Sequence, residues 1–330
     1  MSLDPSNNTL ADLGESGLVA KILEHISEST VSTMGVEIAA GDDAAVLHPG
    51  GSCVVLSVDM YAEGKHFRTD WSTAVEIGRR CAAGSMADVC AMGSTPVGLL
   101  LAVGMPSTTA SDWAGEFIAG FTQEAEVAGA MLLGGDVSDC DTIVISVTAL
   151  GTIASGTAVT RNGARAGDIV GICGSSGMAA AGLRILQSGL RSPRVLVDAF
   201  RVPGIDYSAG ARAAQSGATA MIDISDGLLA DVEHIARASG VGIDLVTEKF
   251  DVPQELISAA AAFGVDPLSW VLTGGDDHAI VATFPPKKRL PTGFTEIGRI
   301  TGDIAGEVLV DGVSYCDVYD VAPGFRHFSQ

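Results

Sequence analysis

Aspartates beside glycines, at the ends of apolar runs, are the residues of this chain best suited to chemistry: Asp42 and Asp43, Asp59, Asp88, Asp136, Asp223 and Asp226, Asp276 and Asp277. Asp59 closes the run CVVLSVD and Asp136 follows MLLGG, positions where either residue also makes an ordinary turn. Asp88 differs. In a helix expected over Thr73–Met92 it falls in line with Ile77, Cys81 and Gly84 on an apolar stripe. Its neighbours one turn away, Gly84, Ser85 and Met92, offer no basic partner. A carboxylate so placed protonates, meets an arginine from another element or binds a cation, and the cation is the reading we favour. In AMIDISDGLL, strand alternation sets Ile222 and Ile224 on one face and Asp223 and Ser225 on the other. Asp226 then precedes a helix, where it would serve as an N-cap. Three oxygen-bearing side chains in four residues exceed what one cap requires. Hard oxygens without His or Cys clusters select magnesium over zinc, with phosphate oxygens completing the shell.

The elements that must position these side chains alternate between β-branched runs and helical patterns. Strands are expected at Cys53–Asp59, Val97–Val103, Met131–Leu133, Ile143–Ile153, Asp168–Ile172, Ala218–Ile224, Gly242–Val246, His278–Phe284 and Phe294–Ile300. Helices are expected at Ser16–Ser29, Thr73–Met92, Ser111–Ala128, Met178–Ser188, Asp206–Ser216, Leu228–Ala238 and Pro253–Phe263. The mixture argues for an α/β or α+β chain, with a boundary in the Gly- and Ala-rich stretch Thr152–Gly167. GICGSSG (Gly171–Gly177) is a strand–loop–helix element that lacks the dinucleotide spacing and the P-loop lysine, so it reads as a chain reversal. His66 in EGKHF and Arg161 in TRNG have ordinary surface readings, although a cation at a domain junction suits a phosphate. His25 and His234 fall inside helical patterns and read as structural.

Composition narrows the classes. At 330 residues the chain is long enough for about two domains. Nineteen Lys and Arg against 40 Asp and Glu give a formal charge of −21, which repels nucleic acid and anionic membrane surfaces. Polyanionic small molecules fit such a chain only where metal cations neutralise the site. The polar, acidic N-terminus has no secretory pattern, and no apolar run is long enough to span a bilayer. A soluble, intracellular protein is expected. Cys53, Cys81, Cys90, Cys140, Cys173 and Cys316 are scattered without metal or redox spacing and read as small buried hydrophobes in a reducing compartment.

Several motifs in order then resemble one family. They are GES at Gly14–Ser16, GDDAAVL at Gly41–Leu47, SVDMYAEGKHF at Ser57–Phe67, MADVCAMGSTP at Met86–Pro96 and LLGGDVS at Leu132–Ser138. TRNGARAGD at Thr160–Asp168, IDISDGLLAD at Ile222–Asp231, TGGDDH at Thr273–His278 and GFRHF at Gly324–Phe328 follow. Together they resemble the thiamine-monophosphate kinases of the aminoimidazole-ribonucleotide-synthetase-like superfamily, over essentially the whole chain.

The resemblance implies a two-domain α/β and α+β fold: an ATP- and metal-binding domain over 1–152, whose strands build a dimer-spanning β-barrel, and an α+β domain over 153–330. It implies a cytoplasmic homodimeric transferase of thiamine biosynthesis, with ATP as co-substrate, several Mg²⁺ ions, thiamine monophosphate as acceptor, and room for a monovalent cation. Asp43, Ser57, Val58, Asp59, Asp88, Asp136, Asp223 and Asp226 match the metal positions, Val58 through its backbone alone. Gly135, Asp136, Arg161 and Ser225 match ATP contacts, and His66, Asp276 and Phe325 match substrate contacts. No catalytic base is implied, because the acceptor phosphate is already ionised; positioning and charge, from the metals and Arg161, carry the reaction. Three departures from the family pattern stand out: Val58 in place of Thr, Asp276 in place of Glu, and His278 in place of a common Tyr. A selenophosphate-synthetase-like relative would need a reactive Cys near an N-terminal glycine loop, whereas the first Cys here, Cys53, lies inside an apolar strand. A non-catalytic sensor on the same scaffold would be expected to lose the metal carboxylates, which this chain retains.

Overall fold

The computed structural model describes residues 36–38, 42–47, 51–154, 156–302 and 304–315. The expected helix at Ser16–Ser29, the Gly14–Ser16 and Gly324–Phe328 motifs, His25, Cys316 and Phe325 lie outside the described residues.

The first half is a six-stranded sheet in the order β1-β2-β3-β6-β4-β5. Its strands are β1 (Val36–Ile38), β2 (Ala45–Leu47), β3 (Ser52–Ala62), β4 (Thr95–Met105), β5 (Met131–Asp139) and β6 (Val144–Ala154). All neighbours are antiparallel except β4 and β5, which a helical crossover joins in parallel. Among the described residues the sheet is open. β5 runs six residues beyond the expected Met131–Leu133, carrying the GGD motif into an edge strand and not a turn.

Two helices cover one face, α1 (Ala74–Ala91) and α2 (Ser111–Val127). α1 starts at a reciprocal capping box: Glu76 N donates to Thr73 Oγ1 at 3.3 Å, and Thr73 N to Glu76 Oε2 at 2.8 Å. The two helices approach until a Cβ at Gly78 would lie 2.1 Å from the Phe117 carbonyl oxygen, and one at Gly120 2.1 Å from that of Val75. Any larger residue at either position would drive the pair apart. The covered face is the core, with Val55, Leu99, Ile145, Val147 and Phe121 buried against Ile77, Cys81 and Met86.

The other face stays open. Val58 and Met60 on β3 are both 65% exposed, and Leu100 on β4 and Met131 and Leu133 on β5 continue the apolar surface.

The second half is a seven-stranded sheet, β13-β12-β9-β11-β7-β10-β8. Here β7 is Ile169–Cys173, β8 Ala220–Asp223, β9 Gly242–Leu245, β10 Ile280–Phe284, β11 Phe294–Thr301, β12 Val308–Val310 and β13 Val313–Ser314. Its helices are α3 (Met178–Gln187), α4 (Arg194–Arg201), α5 (Ala209–Gln215), α6 (Leu228–Ser239), α7 (Gln254–Phe263) and α8 (Pro267–Thr273). α4 and α8 were not expected, since eight- and seven-residue helices are too short to show a period. No single described helix is long and apolar enough to cross a bilayer.

α1 belongs to both halves. Ala91 joins the core made by Ala213, Met221 and Ile280, and fourteen of the eighteen α1 residues are buried. Glu124 of α2 accepts from Arg79 Nε at 2.8 Å and from the Tyr207 hydroxyl at 2.6 Å, fastening the second half to both helices. The cleft between the sheets is therefore floored by α1.

Candidate active site

Strand alternation on β3 turns Ser57, Asp59 and Tyr61 toward α1, and α1 presents Ser85 and Asp88 in reply. Ser57 Oγ donates to Asp88 Oδ2 at 2.6 Å. The hydroxyls of Ser85 and Tyr61, which lie 3.2 Å apart, face Asp59 and favour its ionised form. Asp88 thus pairs with a hydroxyl and not with an arginine. From the turn before β2, Asp43 pairs with Arg161 Nη2, while Asp42 Oδ2 accepts from Arg161 N at 3.2 Å. At the end of β8, Asp223 Oδ2 meets His278 Nδ1 at 2.9 Å.

These carboxylates feel one another. Burial pushes Asp43 up to about 7 against the Arg161 charge, and Asp223 adds to the rise. Burial raises Asp59 despite the Ser85 hydroxyl. Asp88 is held well above the carboxylate range by burial and then by the charges of Asp59 and Asp223. For His278, burial opposes the imidazolium, but the Asp223 hydrogen bond and charge outweigh it and its pKa is raised.

Among the described residues no three His, Cys, Asp or Glu side chains are gathered as a ready metal cluster. Hydroxyls, Arg161 and His278 occupy the carboxylates instead. Among the described residues two buried atoms at this point make no hydrogen bond, Asp43 Oδ2 and Arg161 Nε, the latter 3.9 Å from Asp42 Oδ1. The first is an acceptor in want of a cation and the second a donor in want of an anionic oxygen. With the all-oxygen donor set, that pair fits magnesium and phosphate.

The raised carboxylates make stability pH-dependent. An Asp whose folded pKa lies near 7, against 3.8 unfolded, destabilises the fold above pH 7, and the penalty fades as the pH falls through that value. Asp43 and Asp277 both behave so, with Asp59 and Asp88 shifted in the same direction. Melting in EDTA is therefore expected to move up by about 5 °C between pH 8 and pH 6. A flat or falling profile would contradict the charge cluster.

Beside the carboxylates opens a cavity of about 810 Å³, lined by Asp59, Asp88, His66, Ser225, Asp226 and Asp276, with Phe67, Trp71 and Phe200 as an aromatic wall. His66 Nδ1 accepts from Ala62 N at 3.0 Å, which leaves the proton of a neutral ring on Nε2. Ser225 and Asp226 sit in the turn between β8 and α6. Asp226 is not the cap of α6: the N-cap is Gly227, without a side-chain bond. Instead the buried Asp231 accepts from Asp226 N at 3.1 Å and Gly227 N at 3.0 Å, holding the turn from within the helix.

The neighbouring aspartates of GGDD part company. Asp276, at φ 67°, faces the cavity and pairs with Arg80 at 2.8 Å. Asp277 turns away and accepts from Gly177 N at 2.6 Å and Ala179 N at 2.9 Å. The N-terminus of α3 after GICGSSG is thus filled by the protein's own carboxylate, in keeping with a chain reversal and not a phosphate cradle.

Val58 turns its side chain away from these groups, and Asp136 stands apart from them. Val58 points to the open face of the first sheet, so only its backbone lies beside Ser57 and Asp59. Asp136 pairs across β4 with Ala102, in the cross-sheet row Met60–Ser146–Ala102–Asp136 on that same open face. It stands three strands from β3, about 14 Å at ordinary strand spacing, and Gly135 is beside it. Cys53, Cys81, Cys90 and Cys173 are buried as expected, but Cys140 is exposed because it follows the edge strand β5. Arg80, Ser85, Tyr61, Trp71 and Phe200 escaped the sequence reading, since no spacing links residues that only the cleft brings together.

The chain matches the family model for the AIR synthase related protein N-terminal domain over residues 41–153 and its C-terminal domain over 165–308. It is 40% identical over 312 residues to the thiamine-monophosphate kinase of Mycobacterium tuberculosis (strain H37Rv), covering 94% of this chain and 92% of that one. The thiamine-monophosphate kinase of Corynebacterium glutamicum is 37% identical, with 89% and 88% covered. The solved structure of AaThiL complexed with AMPPCP and TMP matches with a TM-score of 0.87 at 29% identity, covering 98% of this chain and 99% of that one. With two carboxylate-bearing halves closing on one aromatic-walled cleft, and with likeness of this extent in sequence and fold, the chain belongs to the thiamine-monophosphate kinase family.

Proposed function

We propose that this protein transfers the γ-phosphoryl group of ATP to thiamine monophosphate, giving ADP and thiamine diphosphate. The observation that carries the reading is a set of buried, mutually repelling carboxylates, Asp43, Asp59, Asp88 and Asp223, of which Asp59 and Asp88 line an aromatic-walled cavity, with Asp43 Oδ2 and Arg161 Nε making no hydrogen bond among the described residues. Asp43, Ser57, Asp59, Asp88, Asp223 and Asp226, with the Val58 backbone, would hold Mg²⁺, which when bound neutralises phosphate oxygens in an otherwise anionic site. Arg161 offers to a phosphate its Nε, which makes no hydrogen bond among the described residues, and Ser225 its hydroxyl. His66 donates from Nε2, Asp276 accepts, and Phe67, Trp71 and Phe200 enclose the organic part of the substrate; Phe325, outside the described residues, belongs with them. The acceptor needs no base, so alignment and charge compensation suffice.

The homodimer, the two-domain division at 152/153 and a cytoplasmic location belong to the same proposal. Val58, Met60, Leu100, Met131 and Leu133 form an unpartnered apolar sheet face that a second copy would cover, closing the open sheets into a barrel. Gly135 and Asp136, stranded on that face in one chain, would then reach the nucleotide held by the other.

The test is incubation with Mg-ATP, with and without thiamine monophosphate, and identification of the product by mass. Thiamine diphosphate formed stoichiometrically with ADP is expected. Thiamine monophosphate bound without turnover would replace the kinase with a sensor.

A further inference from the structure

Arg80 is the most deeply placed cation of the cleft and does not touch the cavity. It lies in the middle of α1, 6% exposed. One nitrogen, Nη2, pairs with Asp276 Oδ2 at 2.8 Å. Nη1 donates to the Phe200 carbonyl oxygen, and the guanidinium stacks 4.7 Å from the centre of the Phe200 ring. One fork therefore joins the first half to α4 and to the GGDD loop, two segments that line the cavity.

The pairing is one-sided. Arg80 takes a single carboxylate oxygen from behind, and the Asp276 side chain remains 45% exposed on its cavity side. Its backbone is pinned as well: Asp276 N donates to Ser225 O at 2.8 Å, in a left-handed conformation. The second carboxylate oxygen is thereby left as an acceptor of set direction in a cavity that the Phe200 and Trp71 rings also line, the two rings meeting edge to face at 6.1 Å. An acceptor at the rim of an aromatic wall suits an amino-substituted aromatic ring, whose face packs while its N–H donates.

We propose that Arg80 is a positioning residue for substrate specificity: it orients Asp276 so that the free oxygen accepts from the exocyclic amino group of the substrate's pyrimidine. The inference rests on the kinase reading above, and it assigns to a residue remote from the phosphates the choice of organic group. The Arg80 fork fixes polarity as well as place. An amide at 276 would offer its oxygen to Arg80 and turn its NH₂ into the cavity, replacing an acceptor by a donor.

The experiment compares thiamine monophosphate with the analogue in which the 4-amino group is replaced by an oxo group, an acceptor where the substrate has a donor. The wild type is expected to favour the amino substrate by about 100-fold in kcat/KM. Asp276→Asn, which tolerates positive φ, is expected to reverse the preference, and Arg80→Met to reduce it to about tenfold or less. The double variant should show a preference of no more than about twofold either way, because the amide then has nothing to orient it. KM for ATP should stay within about twofold throughout, since neither residue faces the phosphates. Should Arg80→Met fail to fold, the reversal in Asp276→Asn and its loss in Arg80→Lys with Asp276→Asn decide the matter. Equal losses on both substrates with an unchanged ratio would make Arg80 a structural stitch only and overturn the inference. A wild type that phosphorylates neither compound would remove the kinase reading itself, and this inference with it.

Discussion

Asp88→Asn is expected to lower kcat by about 10³-fold while raising the melting temperature of the metal-free protein. The two effects share one cause. The Asp88 carboxyl is desolvated and lies within the field of Asp59, Asp223 and Asp43, so either ionising it or keeping it protonated at neutral pH costs stability when no cation is present. An amide of the same shape removes that repulsion and keeps an oxygen for the Ser57 hydroxyl, which now donates to Asp88 Oδ2 at 2.6 Å. The fold gains and the cation site loses. Melting in EDTA and activity across a magnesium titration read the two separately. An Asn variant that melts lower without metal would show Asp88 to be a structural partner of Ser57, and full activity would remove it from the cation site.

Restoring activity by mixing two inactive chains is the second large effect. Asp136→Asn and Asp88→Asn should each be nearly inactive as homodimers. Asp136 sits on the open sheet face, three strands from β3, whereas Asp88 faces the cleft from α1. If each nucleotide is held between the cleft of one copy and the β5 edge of the other, a mixed dimer contains one site free of both substitutions. Random assortment makes half the dimers mixed with one competent site each, so co-refolded chains should recover about a quarter of the wild-type rate. No recovery in mixed dimers shown to form would mean that each chain completes its own site, and that β5 must move to bring Asp136 across.

Period and spacing carry far in this chain. The two-residue alternation of CVVLSVD placed Asp59 at the end of a strand that the structure extends to Ala62, and the four-three-four spacing of Ile77, Cys81, Gly84 and Asp88 placed a carboxylate on the buried side of α1. MIDISDG kept Ile222 and Ile224 in the core and set Asp223 at the edge of the cleft. Where a local rule had a competitor, it failed. Asp226 looked like an N-cap, but Asp231, one helical turn on, holds those N–H groups, and a cap read from adjacency cannot see a residue that folds back. In GGDD the resemblance singles out Asp276, but nothing local says where Asp277 goes: a positive φ at Asp276 sends one side chain to the cavity and the next to the start of α3.

By itself, then, the sequence determined the chemistry: a set of hard oxygen donors, no nucleophile, and a charge of −21 that only cations reconcile with phosphate substrates. Side-chain period within a strand or helix is a local property, so these residues could be assigned to faces without a fold. Tertiary structure alone decided their partners. Arg80 meets Asp276 across 196 positions, Arg161 meets Asp43 across 118, and His278 meets Asp223 across 55, through packing of sheets and helices that no spacing encodes. It also decided which face each strand leaves open, because burial depends on what packs against a sheet. That is why Asp136, alike in sequence to the other acids, lies on the open sheet face and outside the cleft.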